Sequence, residues 1–201
     1  DLVLGSFELG KVIGRGGMGE VYEAQHTETR AEAAVKVLQR HMLRDTENVR
    51  RFLREARIVE RIDVPNVVRV LEIGDLDAVT PYIAMERLRG TDLSERLRRQ
   101  RQLSPRRAAR MAREVAQGLE AARVAGVVHR DLKPRNLFWA MGRSGRRTWK
   151  ILDFGISKLV NTQGTLTRGM VVGTPAYMAP EQARGEAVTH QTDVYALGAI
   201  C

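Results

Sequence analysis

Apolar and polar residues alternate through most of the first third of the chain. Phe7–Ile13 and Glu20–Ala24 read as strands flanking a glycine cluster, and the apolar run Ala33–Leu38 reads as a third. The spacing then turns helical. Asp45 or Thr46 can cap a helix whose apolar positions are Val49, Phe52, Leu53, Ala56, Val59 and Ile62, and Asp63-Val64-Pro65-Asn66 stops it. Two further strand-like runs, Val67–Ile73 and Tyr82–Met85, complete a mostly antiparallel five-stranded sheet with one long helix. From residue 91 the pattern is mainly helical. Thr91 or Asp92 opens a short helix through Arg98, and Ser104-Pro105 opens a longer one to about Val124, ended by Gly126. Residues 141–150 read as a basic hairpin turn between strands at 137–140 and 148–152, either a plain exposed turn or a docking surface. The class is α+β, with a boundary near Arg87–Gly90 separating residues 1–88 from 89–201.

Composition narrows the setting. Of 201 residues, 43% are hydrophobic and 28% charged, which suits a globular chain rather than a disordered one. There is no apolar run of ~18 residues and no basic-then-apolar leader, so neither a membrane span nor a signal peptide is expected in this segment. Cys201 is the single cysteine, which excludes an internal disulfide and points to a reducing, cytoplasmic setting. The net charge of +9 invites a nucleic-acid reading. Many arginines, however, fall on helical stretches (Arg96, Arg98, Arg99, Arg106, Arg107, Arg110, Arg113), and aromatic residues at 5% are too sparse for a stacking platform. Nucleic acid is therefore an unlikely partner. A solvated arginine-rich helix surface and an anion-binding face both remain open.

The chemistry concentrates in two short stretches. His129–Asn136 reads His-Arg-Asp-Leu-Lys-Pro-Arg-Asn, and Asp153-Phe154-Gly155 follows. Asp131 can orient a hydroxyl, Lys133 can steady a phosphoryl group, and Asn136 with Asp153 can hold a divalent metal. Upstream, Gly14-Arg15-Gly16-Gly17-Met18-Gly19-Glu20-Val21 suits close approach of backbone to a polyphosphate, because a Cβ would block the amide N–H groups. A dinucleotide site would need a helix after this loop, and a P-loop would need Gly-Lys-Ser/Thr; neither follows. A glycine hairpin over a nucleotide and a plain glycine-rich turn remain. Lys36 lies in an apolar strand, where an ammonium needs anionic partners such as Glu55 and phosphate, or must snorkel from a strand edge.

Gly14–Val21, Ala34-Val35-Lys36, Glu55, His129–Asn136, Asp153-Phe154-Gly155, Ala179-Pro180-Glu181 and Asp193 together closely resemble a eukaryotic-type Ser/Thr protein kinase catalytic domain. The run Tyr177–Gly185 looks most like bacterial members. The resemblance implies a bilobal fold and ATP-dependent transfer to Ser or Thr hydroxyls of proteins, with Mg²⁺ or Mn²⁺ as cofactor. Gly14, Gly16, Gly17 and Gly19 would cover the ATP phosphates, and Lys36 paired with Glu55 would bind the α- and β-phosphates. Asn136 and Asp153 would hold the metal, Asp131 would take or orient the substrate hydroxyl, and Lys133 would offset charge on the γ-phosphoryl. Ile13, Val21, Ala34 and Phe138 would line the adenine pocket, with Met85 as gatekeeper and Glu86 to Leu88 supplying backbone groups.

Thr174 could bridge Asp131 and Lys133 on the substrate side. Arg130 could pair with a phosphate on Thr165 or Thr167, which implies regulation by autophosphorylation, and bacterial relatives suggest pairing through the first lobe. Val64 and Tyr195 depart from the family's usual histidine and tryptophan without touching chemistry. Asp193–Cys201 reads as the start of an apolar helix that the family continues, so the second lobe is expected to be incomplete. That leaves a catalytically impaired nucleotide- or protein-binding module as the alternative.

Overall fold

The computed structural model describes residues 2–16, 19–39, 43, 46–74, 80–142, 145–154 and 175–201, with backbone alone at 46–48, 51, 55 and 175. The chain divides into two compact units, Asp1–Arg61 with Val68–Leu88, and Ile62–Val67 with Arg89–Cys201.

The first unit is an antiparallel sheet with one helix. Its strands are β1 (Leu2–Leu4), β2 (Phe7–Gly16), β3 (Gly19–His26), β4 (Glu32–Leu38), β5 (Val70–Ile73) and β6 (Tyr82–Glu86), in the order β1-β2-β3-β4-β6-β5. The sheet has six strands rather than five. The apolar triplet at β1 is too short to register as a periodic pattern. It becomes a strand because Gly5, at φ 54°, turns the chain back so that Leu4 opposes Phe7. One face packs a cluster of Phe7, Leu9, Ala24, Ala33, Val35, Tyr82 and Ala84. Helix α1 (Thr46–Val59) buries Val49, Phe52, Leu53, Ala56 and Val59, the stripe that the helical spacing predicts, and packs against β5.

The second unit joins helices to a three-stranded sheet, β7 (Gly90–Asp92), β8 (Leu137–Met141) and β9 (Arg147–Ile151). Helix α2 (Leu93–Gln100) starts where Asp92 accepts the Glu95 N–H at 2.9 Å. Helix α3 (Pro105–Val124) has Ser104 at its N-cap and Pro105 in its first turn. It packs closely on β9: a Cβ on Gly118 would lie 2.8 Å from Ile151 Cδ1 and 2.9 Å from the Asn66 carbonyl. Buried Asn66 donates to the Trp149 carbonyl at 3.0 Å, so the segment that ends the helical run after α1 is stitched to β9. Short helix α4 (Pro180–Ala183) precedes α5 (His190–Ile200), which opens three residues before Asp193 because Thr189 caps it through the Gln191 N–H.

Candidate active site

In the first unit, strand register decides which candidate residues share a face. Directly opposed residues of antiparallel strands point the same way. Gly14 opposes Val21, Val21 opposes Lys36, Lys36 opposes Ile83, and Ala34 opposes Met85. Gly14, Val21, Ala34, Lys36 and Met85 therefore lie on one face of the sheet, opposite the packed cluster. Lys36 is buried, at 8% exposure. Ile13 sits on the same hairpin and is partly exposed. The Glu86 carboxylate accepts the Arg69 N–H at 2.9 Å, and Leu88 is the last residue of this unit.

The glycines of the hairpin are not equivalent. A Cβ on Gly19 would lie 2.2 Å from the Val37 carbonyl oxygen, so the strand pairing itself demands glycine there. Among the described residues, a Cβ on Gly14 or Gly16 would meet nothing closer than 3.6 Å or 3.9 Å respectively. Packing accounts for one of the three; the other two leave open backbone on a hairpin that pairs Gly16 with Gly19.

In the second unit the loop before β8 gathers the acid, the base and the amide. Lys133 Nζ donates to Asp131 Oδ2 at 2.6 Å, with both side chains partly buried. Buried Asn136 closes a 3₁₀ turn at Pro134–Asn136 and donates its Nδ2 to the Asp131 carbonyl at 2.8 Å. That bond orients the amide and presents Oδ1, a hard oxygen donor. Leu152 donates its N–H to the Asn136 carbonyl at 2.9 Å, tying the loop to the strand end that leads into Asp153. Asp153 has φ 48° and Arg130 φ 65°, both in the left-handed region that side chains rarely adopt.

Three further residues hold this geometry, none of which the sequence marks as more than a family position or a neighbour. Asp193, buried on α5, accepts the His129 N–H at 2.7 Å through Oδ2 and the Arg130 N–H at 2.8 Å through Oδ1. His129 is fully buried. Its Nδ1 accepts the Asp131 N–H at 3.3 Å, so Nε2 carries the proton and donates to the Leu152 carbonyl at 2.9 Å. Its ring also lies 5.0 Å from that of buried Phe154. Gln182 on α4 donates to the Arg130 carbonyl at 2.7 Å and accepts the Ala179 N–H at 3.2 Å. A buried polar side chain that clamps a distant loop is visible only once the chain is folded.

Phe138 lies on β8, opposite Asp92 and Lys150. Arg130 Nε is buried and has no partner among the described residues. Glu181 accepts from Thr192 Oγ1 at 2.6 Å, and this bond holds its carboxyl below the ordinary value. Gly17, Thr165, Thr167, Thr174 and the Glu55 side chain lie outside the described residues.

Residues 7–201 match the protein kinase domain family. The chain belongs to that family. It is 42% identical over 193 residues to the serine/threonine-protein kinase Pkn3 of Myxococcus xanthus, covering 94% of this chain and 35% of that protein. It is 41% identical over 201 residues to a probable serine/threonine-protein kinase of Streptomyces coelicolor, covering 98% and 29%. The crystal structure of the Mycobacterium tuberculosis PknI kinase domain is similar at TM-score 0.77 and 30% identity, covering 98% of this chain and 72% of that one. The chain thus spans about a third of the length of the curated relatives it matches. The fold is the α+β protein kinase fold.

Proposed function

We propose that this chain transfers the γ-phosphoryl group of ATP to serine or threonine hydroxyls of protein substrates. The observation that carries the reading is the Asp131–Lys133 pair, held at 2.6 Å on a loop that Asn136, His129 and Asp193 brace from three sides. Asp131 orients the substrate hydroxyl and accepts its proton, and Lys133 Nζ offsets negative charge that builds on the transferred group. Lys36 and the open backbone of Gly14 and Gly16 bind the nucleotide phosphates. Val21, Ala34 and Met85, on the same sheet face, take the apolar purine, with Ile13 and the Glu86–Leu88 backbone as its further contacts.

The donor set fits Mg²⁺. Asn136 Oδ1 and the Asp153 carboxylate are hard oxygens, and no cluster of three or more His, Cys, Asp or Glu side chains competes for a metal among the described residues. Asn136 and Asp153 would hold the cation, which would neutralise phosphate charge. No described helix is long and apolar enough to cross a membrane. The lone cysteine suits a reducing, cytoplasmic compartment.

Regulation forms part of the proposal. The buried Nε of Arg130, without a partner among the described residues, is suited to a phosphate on Thr165 or Thr167, so autophosphorylation raises activity. The reading is tested by phosphate incorporation from labelled ATP into a basic carrier protein. Asp131→Asn is expected to lower kcat by ~10²–10⁴ with KM for ATP nearly unchanged. Undiminished incorporation by that variant refutes the assignment.

A further inference from the structure

Both tryptophans of the chain sit in the second unit, side by side on β8 and β9, with ring centroids 5.1 Å apart. Phe138 and Trp139 are successive on β8 and so point to opposite faces, which sets Trp139 apart from the residues assigned to the nucleotide. Around Trp139 the structure opens a groove of about 310 Å³, floored by Leu103 and the tryptophans and rimmed by Arg96, Arg107, Arg110 and Arg147. Arg110 lies 4.7 Å over the Trp139 ring and donates to the Arg147 carbonyl at 2.7 Å. A second, open recess shares Arg110 and Arg147 and adds Arg113 and Arg146.

Glu114 is the one carboxylate among the residues lining either recess, and it is already occupied. It accepts Arg110 Nε at 2.6 Å, the Trp149 N–H at 2.8 Å and the Thr148 hydroxyl at 3.1 Å. The charges of Arg96, Arg107 and Arg147 crowd one another. Arg96 Nε is buried without a partner among the described residues, and burial, then the charges of Arg107 and Arg147, push this guanidinium below its ordinary value. Arg106 and Arg107 also occupy the first turn of α3, which holds no acidic residue and where the helix dipole opposes positive charge. An apolar floor whose rim carries three arginines, Arg96, Arg107 and Arg147, with no carboxylate partner among the described residues has one electrostatic complement.

We propose that the groove formed by α2, α3 and the β8–β9 hairpin docks an acidic peptide segment of a protein partner, with carboxylates on the arginines and one apolar side chain on the floor. A nucleic acid fits less well, because the Trp139 ring already carries Arg110 and Trp149 is 3% exposed, so no aromatic face is free to stack a base.

The two tryptophans make the test specific, since both report from this groove. The full chain is titrated with the peptide Gly-Glu-Asp-Leu-Asp-Glu-Gly while tryptophan emission is read, with a lysine-for-acid peptide and a uridine hexanucleotide in parallel. Saturable binding of the acidic peptide alone is expected, weakening as salt rises from ~50 to ~500 mM. Reversing the exposed pair, Arg107→Glu with Arg147→Glu, is expected to weaken it at least ~10-fold. Circular dichroism verifies that the double variant is folded; if it is not, Arg107→Gln with Arg147→Gln is expected to show the same loss in smaller measure. Three results overturn the proposal: no emission change with the acidic peptide, unaltered affinity in a folded variant, or equal or tighter binding of the hexanucleotide.

Discussion

Replacing Asp193 with Asn tests whether the loop that carries Asp131 is held by one buried carboxylate. The carboxylate is 3% exposed and accepts two backbone N–H groups, at 2.7 and 2.8 Å. An amide of the same shape keeps one acceptor and turns an NH₂ group towards the other donor. One charge-assisted bond is lost and a buried N–H is left without a partner, at a combined cost of ~2–4 kcal/mol. For a chain of this length that corresponds to a fall in Tm of ~5–15 °C. The loss is also local. Arg130 is held at φ 65°, a conformation costing ~1–2 kcal/mol for a residue with a side chain, and its N–H is one of the two bonds at stake. Once the clamp weakens, the loop relaxes and carries Asp131 with it; a misplacement of ~1 Å at a reacting group costs ~10² in rate. Differential scanning calorimetry and steady-state kinetics measure the two effects, with kcat expected to fall much more than KM for ATP rises. A shift in Tm below ~2 °C refutes the energetic argument. A lowered Tm with kcat intact refutes the positioning role.

Gly118→Ala puts a methyl 2.8 Å from Ile151 Cδ1 and 2.9 Å from the Asn66 carbonyl, and is expected to lower stability by ~1–3 kcal/mol in urea titration despite alanine's better helix propensity. Gly16→Ala adds a Cβ with no neighbour nearer than 3.9 Å among the described residues, so the urea midpoint should hold while KM for ATP rises; an unchanged KM would count against open backbone as the nucleotide contact. Burial raises the Glu114 carboxyl, but the Arg110 hydrogen bond, the Trp149 N–H, the Arg110 charge and the Thr148 hydroxyl outweigh it and hold the group below 4.5. Its contribution is therefore fully present above the unfolded value and is lost as pH falls through the lower folded one. Acidification below about 4.5 should erode wild-type stability more steeply than that of Glu114→Gln, and parallel pH profiles would exclude this carboxylate as a cause.

Local pattern carried the elements a long way. The stripe Val49, Phe52, Leu53, Ala56 and Val59 specifies α1 because helical spacing puts these residues on one side whatever they meet there. Asp92 and Ser104-Pro105 mark the starts of α2 and α3 because a cap needs only residues within one turn. Leu2–Leu4 escaped notice since a three-residue strand has too little period to read and exists only by pairing with β2. The grouping of the proposed reacting residues was legible for the same reason as the helices: Asp131, Lys133 and Asn136 fall within six residues, and their mutual bonds are local.

The sequence by itself determined the kinase family, the class of fold, most elements and which groups are proposed to react, all of which depend on short-range order along the chain. Tertiary structure alone decided what holds and surrounds them. Asp193 reaches back more than sixty residues to clamp His129 and Arg130, strand register sets Lys36 beside Val21, and α2, α3 and a hairpin bring six scattered arginines and two tryptophans to one surface. Hydrogen bonds, register and charge crowding between distant segments have no signature in local spacing, because they arise only when the chain closes its long-range contacts.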